Sequence, residues 1–349
     1  MALWLVRAGK HGEHEAKFLA DNRLYLTWSD LSHDLSRLSS RTELEALLSE
    51  LYPDDPTARR RNNAGQIWTF SHRMQPGDWV VVPSKSKPVL NVAEITGPYV
   101  FQAGAEDPYF HHRAVKWVGK DVPRSTFSQD LLYSLGAIMT ICQIERNDAE
   151  KRVRAMAAAG WKSEAPSGKV AMGGAGATPS DATDATDAVD LEQLARDQIA
   201  RLIIQRFKGH AMERLVEAVL KAQGYTTYHS PMGADKGVDL LAAPGPLGFG
   251  HPRICVQVKS SDSPVDHPTL SQLLGTMHSV QADQGLLVSW GGFKSSVEKE
   301  TAQHFFRVRL WNQADLISQI LEHYDRLDEE IRAELPLKRI WTVAAQDEE

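Results

Sequence analysis

Apolar and polar residues follow two different rhythms along this chain. In the first half, short β-branched and aromatic runs such as Leu3–Arg7 and Trp79–Pro83 lie between Gly/Pro turns, which is typical of strands. From Leu191 onward, helical spacing alternates with strand-like runs. The pattern predicts an N-terminal α+β unit with a small curved sheet or barrel and few helices, followed by a C-terminal α/β sandwich.

Individual elements follow from the same periodicities. The predicted strands are Leu3–Arg7, Leu24–Trp28, Trp79–Pro83, Val89–Ile95, Tyr109–Trp117, Gly285–Trp290 and Arg307–Trp311, with a further hairpin between residues 239 and 259. The predicted helices are Glu13–Ala20, Thr42–Leu51, Asn63–His72, Leu191–Phe207, Ala211–Gln223, Thr269–Gln281, one from about Ser295, and Ala314–His323.

Residues 163–190 form the clearest boundary. Their core is small, polar and locally repetitive, so it cannot bury enough apolar area to offset the entropy of ordering. We therefore expect a flexible linker there, between an N-terminal domain over 1–162 and a second domain over 191–335. Residues 336–349 are expected to be a C-terminal tail.

Composition narrows the class of protein. The 349 residues are enough for two domains, and the net charge of −6 argues against a generally basic nucleic-acid coat but allows a local basic cleft. The two cysteines, Cys142 and Cys255, lie far apart, which excludes a disulfide framework or a thiolate zinc site. No apolar run approaches the length of a membrane span and the N-terminus lacks a signal-peptide core, so we expect a cytoplasmic protein.

Candidate chemistry concentrates in one hairpin. Asp239 ends a Gly-rich turn that begins at Gly233, and the strand Cys255–Lys259 follows a Gly/Pro-rich loop. Because strand side chains alternate, Gln257 and Lys259 project to the same face. An acid, an amide oxygen and an amine gathered at one point suit a hard metal ion beside a phosphate, and hence phosphodiester hydrolysis.

These residues resemble the Mrr-type restriction endonuclease domain, a branch of the PD-(D/E)xK nuclease superfamily, over about Gly209–Trp311. In that branch Gln often replaces the acid of the second strand, as in Gln257-Val258-Lys259. The resemblance implies an αβα sandwich, Mg²⁺ (or Mn²⁺) held by Asp239 and Gln257, and a Lys259 that orients the attacking water. It also implies 5′-phosphate and 3′-hydroxyl products.

Three further residues are weaker candidates. Glu213 shares a helical stripe with apolar residues, and a metal or lysine partner would offset the cost of burying its carboxylate. It matches the early helical Glu of the family, although a rim-exposed position is nearly as favoured and Glu217 is a rival. Asp235 is interpreted more readily as a turn residue than as a ligand, and Gln272 as a residue that could face the cleft.

The N-terminal domain resembles the EVE/PUA-like fold in its Arg61–Gly65 stretch and in Met74–Ser84, which carries a Gly-Asp step into a strand. Related modules hold a modified base in an aromatic pocket. Trp28 is the first candidate for stacking on an extruded base and Trp68 the second, with core packing slightly favoured for either. His11, His14, His111 and His112 are interpreted as solvated or structural.

The leading hypothesis is a modification-dependent DNA endonuclease that recognises modified double-stranded DNA, with modified cytosine as the expected mark, and acts as a homodimer or higher homo-oligomer. Two alternatives remain open at the level of sequence. One is a structure-specific DNA repair nuclease, and the other is a catalytically inactive sensor of modified nucleic acid.

Overall fold

The computed structural model describes residues 1–162, 190–231 and 237–341. The chain divides into two compact units, of which the first covers Met1–Asp197 and the second begins at Gln198. This division falls inside helix α6, which spans Leu191–Arg206. Of the segment expected to be a linker, only Asp190 is among the described residues, and 342–349 of the expected tail also lie outside them.

Within residues 1–162, six strands form one sheet in the order β2-β5-β4-β3-β1-β6. These strands are β1 Leu3–Val6, β2 Arg23–Leu26, β3 Trp79–Pro83, β4 Val89–Phe101, β5 His111–Pro123 and β6 Ile141–Gln143. All pairs are antiparallel except β1 with β3. Trp4 and Val6 enter one apolar cluster while Leu3 and Leu5 enter another, so β1 is buried on both faces.

Helices are more numerous in this unit than the sequence pattern predicts. They are α1 Glu15–Asp21, α2 Arg41–Leu51, α3 Thr57–Trp68, α4 Gln129–Ser134 and α5 Ala149–Ala158, with a π-helical turn at Thr69–Arg73 and 3₁₀ turns at Leu35–Arg37, Arg124–Thr126 and Arg146–Asp148. The helix predicted from Asn63 begins at Thr57. Its start was not predicted because the first turn is charged and shows no apolar pattern.

Two buried polar residues tie this unit together. Asp78 accepts hydrogen bonds from the Ala2 backbone N–H (2.8 Å), Trp4 Nε1 (2.9 Å) and the Gln75 backbone N–H (3.1 Å). The imidazole of His111 contacts the Leu31 carbonyl oxygen through Nε2 (2.6 Å) and the Tyr99 hydroxyl through Nδ1 (2.7 Å). Asp78 therefore joins the start of β1 to the start of β3, and His111 has a structural role, as its sequence context predicts.

The second unit contains a five-stranded sheet of order β11-β10-β9-β8-β7 among its described residues. Its strands are β7 Tyr225–His229, β8 Leu240–Pro244, β9 Ile254–Lys259, β10 Gln284–Ser289 and β11 Val308–Trp311. Strands β7, β8 and β9 are antiparallel, whereas β9, β10 and β11 are parallel. The predicted hairpin is thus the point where the strand direction changes.

Helices cover both faces of this sheet. They are α7 His210–Ala222, α8 His267–Ser279, α9 Ser295–Glu300, α10 Gln313–His323 and α11 Glu329–Glu334, with a 3₁₀ turn at Tyr324–Arg326. Leu240, Val256 and Val258 pack with α7 and α10, while Cys255 and Leu287 pack with α8 and α9. This arrangement is the predicted αβα sandwich. None of the described helices combines the length and apolar character that crossing a bilayer requires.

Candidate active site

The register of the β8–β9 hairpin brings the first two candidate residues together. Leu240 pairs with Val256 in this antiparallel ladder. Asp239 precedes Leu240, and its backbone N–H donates to the Val256 carbonyl at 3.1 Å. Its carboxylate accepts from the Val258 backbone N–H, next along the strand from Gln257. The hairpin therefore brings Asp239 and Gln257 to the same end of the ladder.

Asp239 is fixed by its neighbours on both sides. Its side-chain Oδ2 accepts a hydrogen bond from the Val258 backbone N–H at 2.5 Å. Its own N–H donates to the Val256 carbonyl (3.1 Å), and its carbonyl accepts from the Ser230 N–H (3.0 Å). The carboxylate consequently replaces a backbone acceptor in the ladder, and its orientation is fixed at the end of β9.

Gln257 is only 1% exposed, yet its Oε1 atom accepts no hydrogen bond from any described residue. A buried acceptor without a donor costs about 1–3 kcal/mol, so such an atom calls for an explanation. An amide oxygen next to a carboxylate is an oxygen donor set of the kind that a hard divalent cation accepts. The residues present therefore fit such an ion, although the described part of the chain contains no group of three His, Cys, Asp or Glu side chains placed to hold a metal.

Lys259 is the last residue of β9 and is half-buried. Alternation along the strand places it on the same face as Gln257. Its carbonyl accepts a hydrogen bond from the Trp290 N–H (2.8 Å), which secures the end of the strand next to β10. Lys259 is thus more exposed than Gln257, which is buried two residues earlier on the same strand.

The thiol of Cys255, on the same face of β9 as Gln257, has a raised pKa. Burial, and to a smaller extent the negative charge of Asp239, raise the pKa of its thiol to about 11. The thiol therefore stays protonated at neutral pH.

Gly237, two residues before Asp239, lies against helix α8. It has a φ of +87°, and a Cβ built on it would lie 2.6 Å from the side-chain Nε2 of Gln272. Only glycine meets both conditions without strain. Gln272 therefore faces Gly237, whereas Asp235 and the other residues of 232–236 lie outside the described residues.

Glu213 lies in the first turn of α7, with its side chain 13% exposed. The backbone N–H of Gly209, just before this helix, donates to Ser260 Oγ at 3.0 Å, which ties the start of α7 to the residue after Lys259. Among the described residues, its oxygens contact His210 Nδ1 (2.8 Å) and His229 Nε2 (2.9 Å).

Sequence reasoning missed both histidines. His229 ends β7, and this half-exposed edge strand has no apolar alternation that would predict it. The rival residue Glu217 contacts Thr227 and Lys221. Burial raises the pKa of Glu217, but these hydrogen bonds and the nearby positive charges outweigh it, so its pKa lies below the usual value.

The two tryptophans considered for base recognition pack differently in the first unit. Trp28 and Trp68 are both half-buried against the main apolar cluster. The ring of Trp68 stacks on His72, with centroids 3.6 Å apart and planes 9° from parallel. One face of Trp68 is therefore covered. Their role in base binding stays a prediction.

Comparison with known proteins assigns the second unit. Residues 204–320 match the family model Mrr_cat, described as a restriction endonuclease, and residues 4–142 match DUF8426, a domain of unknown function. No curated protein matches significantly.

Solved structures give only weak likenesses. The chain is similar to the DNA modification-dependent restriction endonuclease AspBHI (14% identity, 81% of this chain and 74% of that chain, TM-score 0.33). It is also similar to the MspJI restriction endonuclease in complex with a 27-mer oligonucleotide (15% identity, 90% and 73%, TM-score 0.32). At such TM-scores these likenesses carry no argument. The family match makes the assignment: residues 204–320 belong to the restriction endonuclease domain family Mrr_cat, so the second unit contains a nuclease domain.

Proposed function

We propose that the protein is a modification-dependent DNA restriction endonuclease. The first unit would recognise a modified base in double-stranded DNA, with modified cytosine as the expected mark, and the second would hydrolyse a phosphodiester bond. The observation that carries this proposal is the buried Gln257 Oε1, which accepts no hydrogen bond from the described residues and lies next along the strand from Val258, whose N–H binds the Asp239 carboxylate, in a restriction endonuclease domain.

Asp239 and Gln257 are the residues that would hold a divalent ion, Mg²⁺ or Mn²⁺. A bound ion would supply electrostatic stabilisation of the charge that develops on the phosphate. With one carboxylate in place of the usual two, the site carries less negative charge. We therefore expect weak ion binding in free protein and tighter binding when DNA phosphate completes the ligand shell.

Lys259 and Glu213 would contribute to the reaction in different ways. Lys259 would donate hydrogen bonds to a non-bridging phosphate oxygen and to the attacking water, so that charge accumulates beside a fixed cation. Glu213, whose helix start is tied to Ser260, would accept a hydrogen bond from the same water and orient it. The water oxygen bonds to phosphorus as the bond to the 3′ oxygen breaks, which leaves a 5′-phosphate and a protonated 3′-hydroxyl.

Base recognition would belong to the first unit. Trp28 is the stronger of the two candidates, because His72 already covers one face of the Trp68 ring. An indole face that stacks on an extruded base is a common means of holding it.

The test is cleavage of matched modified and unmodified plasmids in Mg²⁺ by wild type, Lys259→Ala and the control Lys299→Ala. Lys299 is exposed on α9, so its replacement should leave cleavage unchanged. Wild type should cut modified DNA selectively. Lys259→Ala should lose at least about a hundredfold in rate, which is typical for removal of a group that stabilises transition-state charge.

The shortage of carboxylates favours one alternative, a sensor that binds modified DNA without cutting it. The described residues offer no cluster of three His, Cys, Asp or Glu ligands. Selective binding of modified DNA with no cleavage in either Mg²⁺ or Mn²⁺ would support the sensor and contradict the endonuclease. Equal cleavage of both plasmids would contradict the dependence on modification.

A further inference from the structure

His229 occupies a particular place beside the hairpin site. It ends β7, pairs with Leu240 across the ladder, and precedes Ser230, whose N–H donates to the Asp239 carbonyl at 3.0 Å. Its side chain is 34% exposed, so it lies at the border between the sheet and solvent. The imidazole is therefore carried by β7, the neighbour of β8, and β8 is the strand that follows Asp239.

Both ring nitrogens of His229 face carboxylates on α7. Nε2 lies 2.9 Å from Glu213 Oε2, and Nδ1 lies 3.6 Å from Glu217 Oε2. Glu217 is itself fixed, because its Oε1 accepts from Thr227 Oγ1 (2.7 Å) and lies 2.9 Å from Lys221 Nζ. Glu217 thus fixes the orientation of the imidazole through Nδ1, while Nε2 contacts Glu213.

Glu213 depends on this contact more than on its other partner. His210 also reaches Glu213, but its side chain is 62% exposed and belongs to the same helix turn. Exposed pairs of this kind contribute little to fixing a geometry. His229 instead ties Glu213 to a strand of the sheet, across the packing of α7 on β7.

We propose that His229 is a positioning residue that holds the Glu213 carboxylate in its working orientation, and that Glu217 anchors the imidazole in turn. This rests on the proposed function, in which Glu213 orients the attacking water. A carboxylate offers about four lone-pair sites, so two histidine contacts leave acceptors for that water. Without His229, the Glu213 side chain gains rotamers that point the carboxylate elsewhere.

Steady-state cleavage of modified DNA by His229→Leu and His229→Gln tests the proposal. For the leucine variant, kcat should fall by roughly 10- to 100-fold, the usual effect of losing a group that orients an active-site side chain, while KM stays unchanged. The glutamine variant should recover part of the rate, since its amide N–H can donate to Glu213. The control is His267→Leu, because His267 forms a comparable pair with Glu300 (3.0 Å) and should be dispensable.

A double-mutant comparison separates positioning from a general structural effect. In a Glu213→Gln background, His229→Leu should cause no further loss of kcat, because both changes act through the same carboxylate. Additive losses, or a leucine variant that cleaves at the wild-type rate, would overturn the proposal. If His229→Leu does not fold, His229→Asn, whose amide is too short to reach Glu213, replaces it with the same expectations.

Failure of the two proposals can be told apart. A wild type that cleaves modified DNA, with His229 variants that cleave equally well, overturns the positioning role alone. A wild type that cleaves no DNA overturns the proposed function and the role of His229 together.

Discussion

Asp78 in the first unit and Gln257 in the second are both buried polar residues in short sequence motifs, but their surroundings differ. Asp78 is 7% exposed and receives three hydrogen bonds from β1 and from the turn before β3. Gln257 is 1% exposed, and its Oε1 receives none from the described residues. A saturated polar group indicates a structural role, whereas an unsaturated one calls for another explanation, which for Gln257 is the proposed ligand role.

The contrast extends to the motifs themselves. The Gly77-Asp78 step belongs to the stretch that resembles a base-binding fold, yet the Asp78 carboxylate accepts hydrogen bonds that join two strands. The Gln257-Val258-Lys259 stretch drew attention for its chemistry, and its amide oxygen remains available for that chemistry. Substitutions at Asp78, His111 and Gln257 test whether the two kinds of buried polar residue differ in this way.

The largest effect is expected at Asp78. Asp78→Ala would leave three donors without an acceptor, namely the Ala2 and Gln75 backbone N–H groups and the Trp4 indole. At about 1–3 kcal/mol for each unsatisfied buried group, and with some access to water, the free energy of unfolding should fall by roughly 4 kcal/mol. Urea titration measures this change, and a loss below about 1 kcal/mol would contradict a structural role.

A smaller effect, dependent on pH, is expected at His111. Burial lowers the pKa of His111 to about 4. Since the folded pKa lies below the value of about 6.5 in unfolded chains, the unfolded state binds more protons between these values, and stability is lost as pH falls from about 6.5 to 4. The loss should approach about 3 kcal/mol.

A titration in urea at several pH values measures that loss. His111→Gln lacks the ionising ring, so its stability should vary less steeply across the same range. Parallel curves for the variant and wild type would show that another group is responsible for the pH dependence.

The smallest change in stability, but the sharpest distinction, is expected from Gln257→Met. This substitution removes an unpaired buried acceptor at nearly constant volume, so the free energy of unfolding should stay equal or rise by about 1 kcal/mol while cleavage is lost. The matched control is Gln66→Met in the first unit. Gln66 Oε1 accepts from the buried Ile141 N–H at 2.9 Å, so the same substitution there should destabilise by about 1–3 kcal/mol. A change of the same sign in the free energy of unfolding at both positions would contradict the difference between Gln257 and a saturated buried residue.

The sequence pattern was sufficient to predict the αβα sandwich and the position of its hairpin. Apolar runs on β8, β9 and β10 are continuous because helices cover both faces, and alternation along β9 places Gln257 and Lys259 together. The helices α6 and α7 also lie within a residue or two of their predicted bounds.

Other parts could not be predicted because local pattern did not decide them. Strand β7 has alternating exposure but Thr and His at the half-buried positions, so His229 was not recognised as a partner of Glu213. Strand β4 continues through Gly97 and Pro98, where a turn was expected, because irregular register against β5 absorbs both residues. Tertiary pairing, rather than propensity, determines these elements.

The hydrogen bond from the Val258 N–H to Asp239 has a consequence for how the nuclease is kept ready. It joins the two strands of the hairpin through groups of the chain itself, so this contact needs no ion to form. If the rest of the cleft is held in the same way, the supply of the ion and the arrival of the phosphate, rather than a refolding of the chain, would set the time of cleavage.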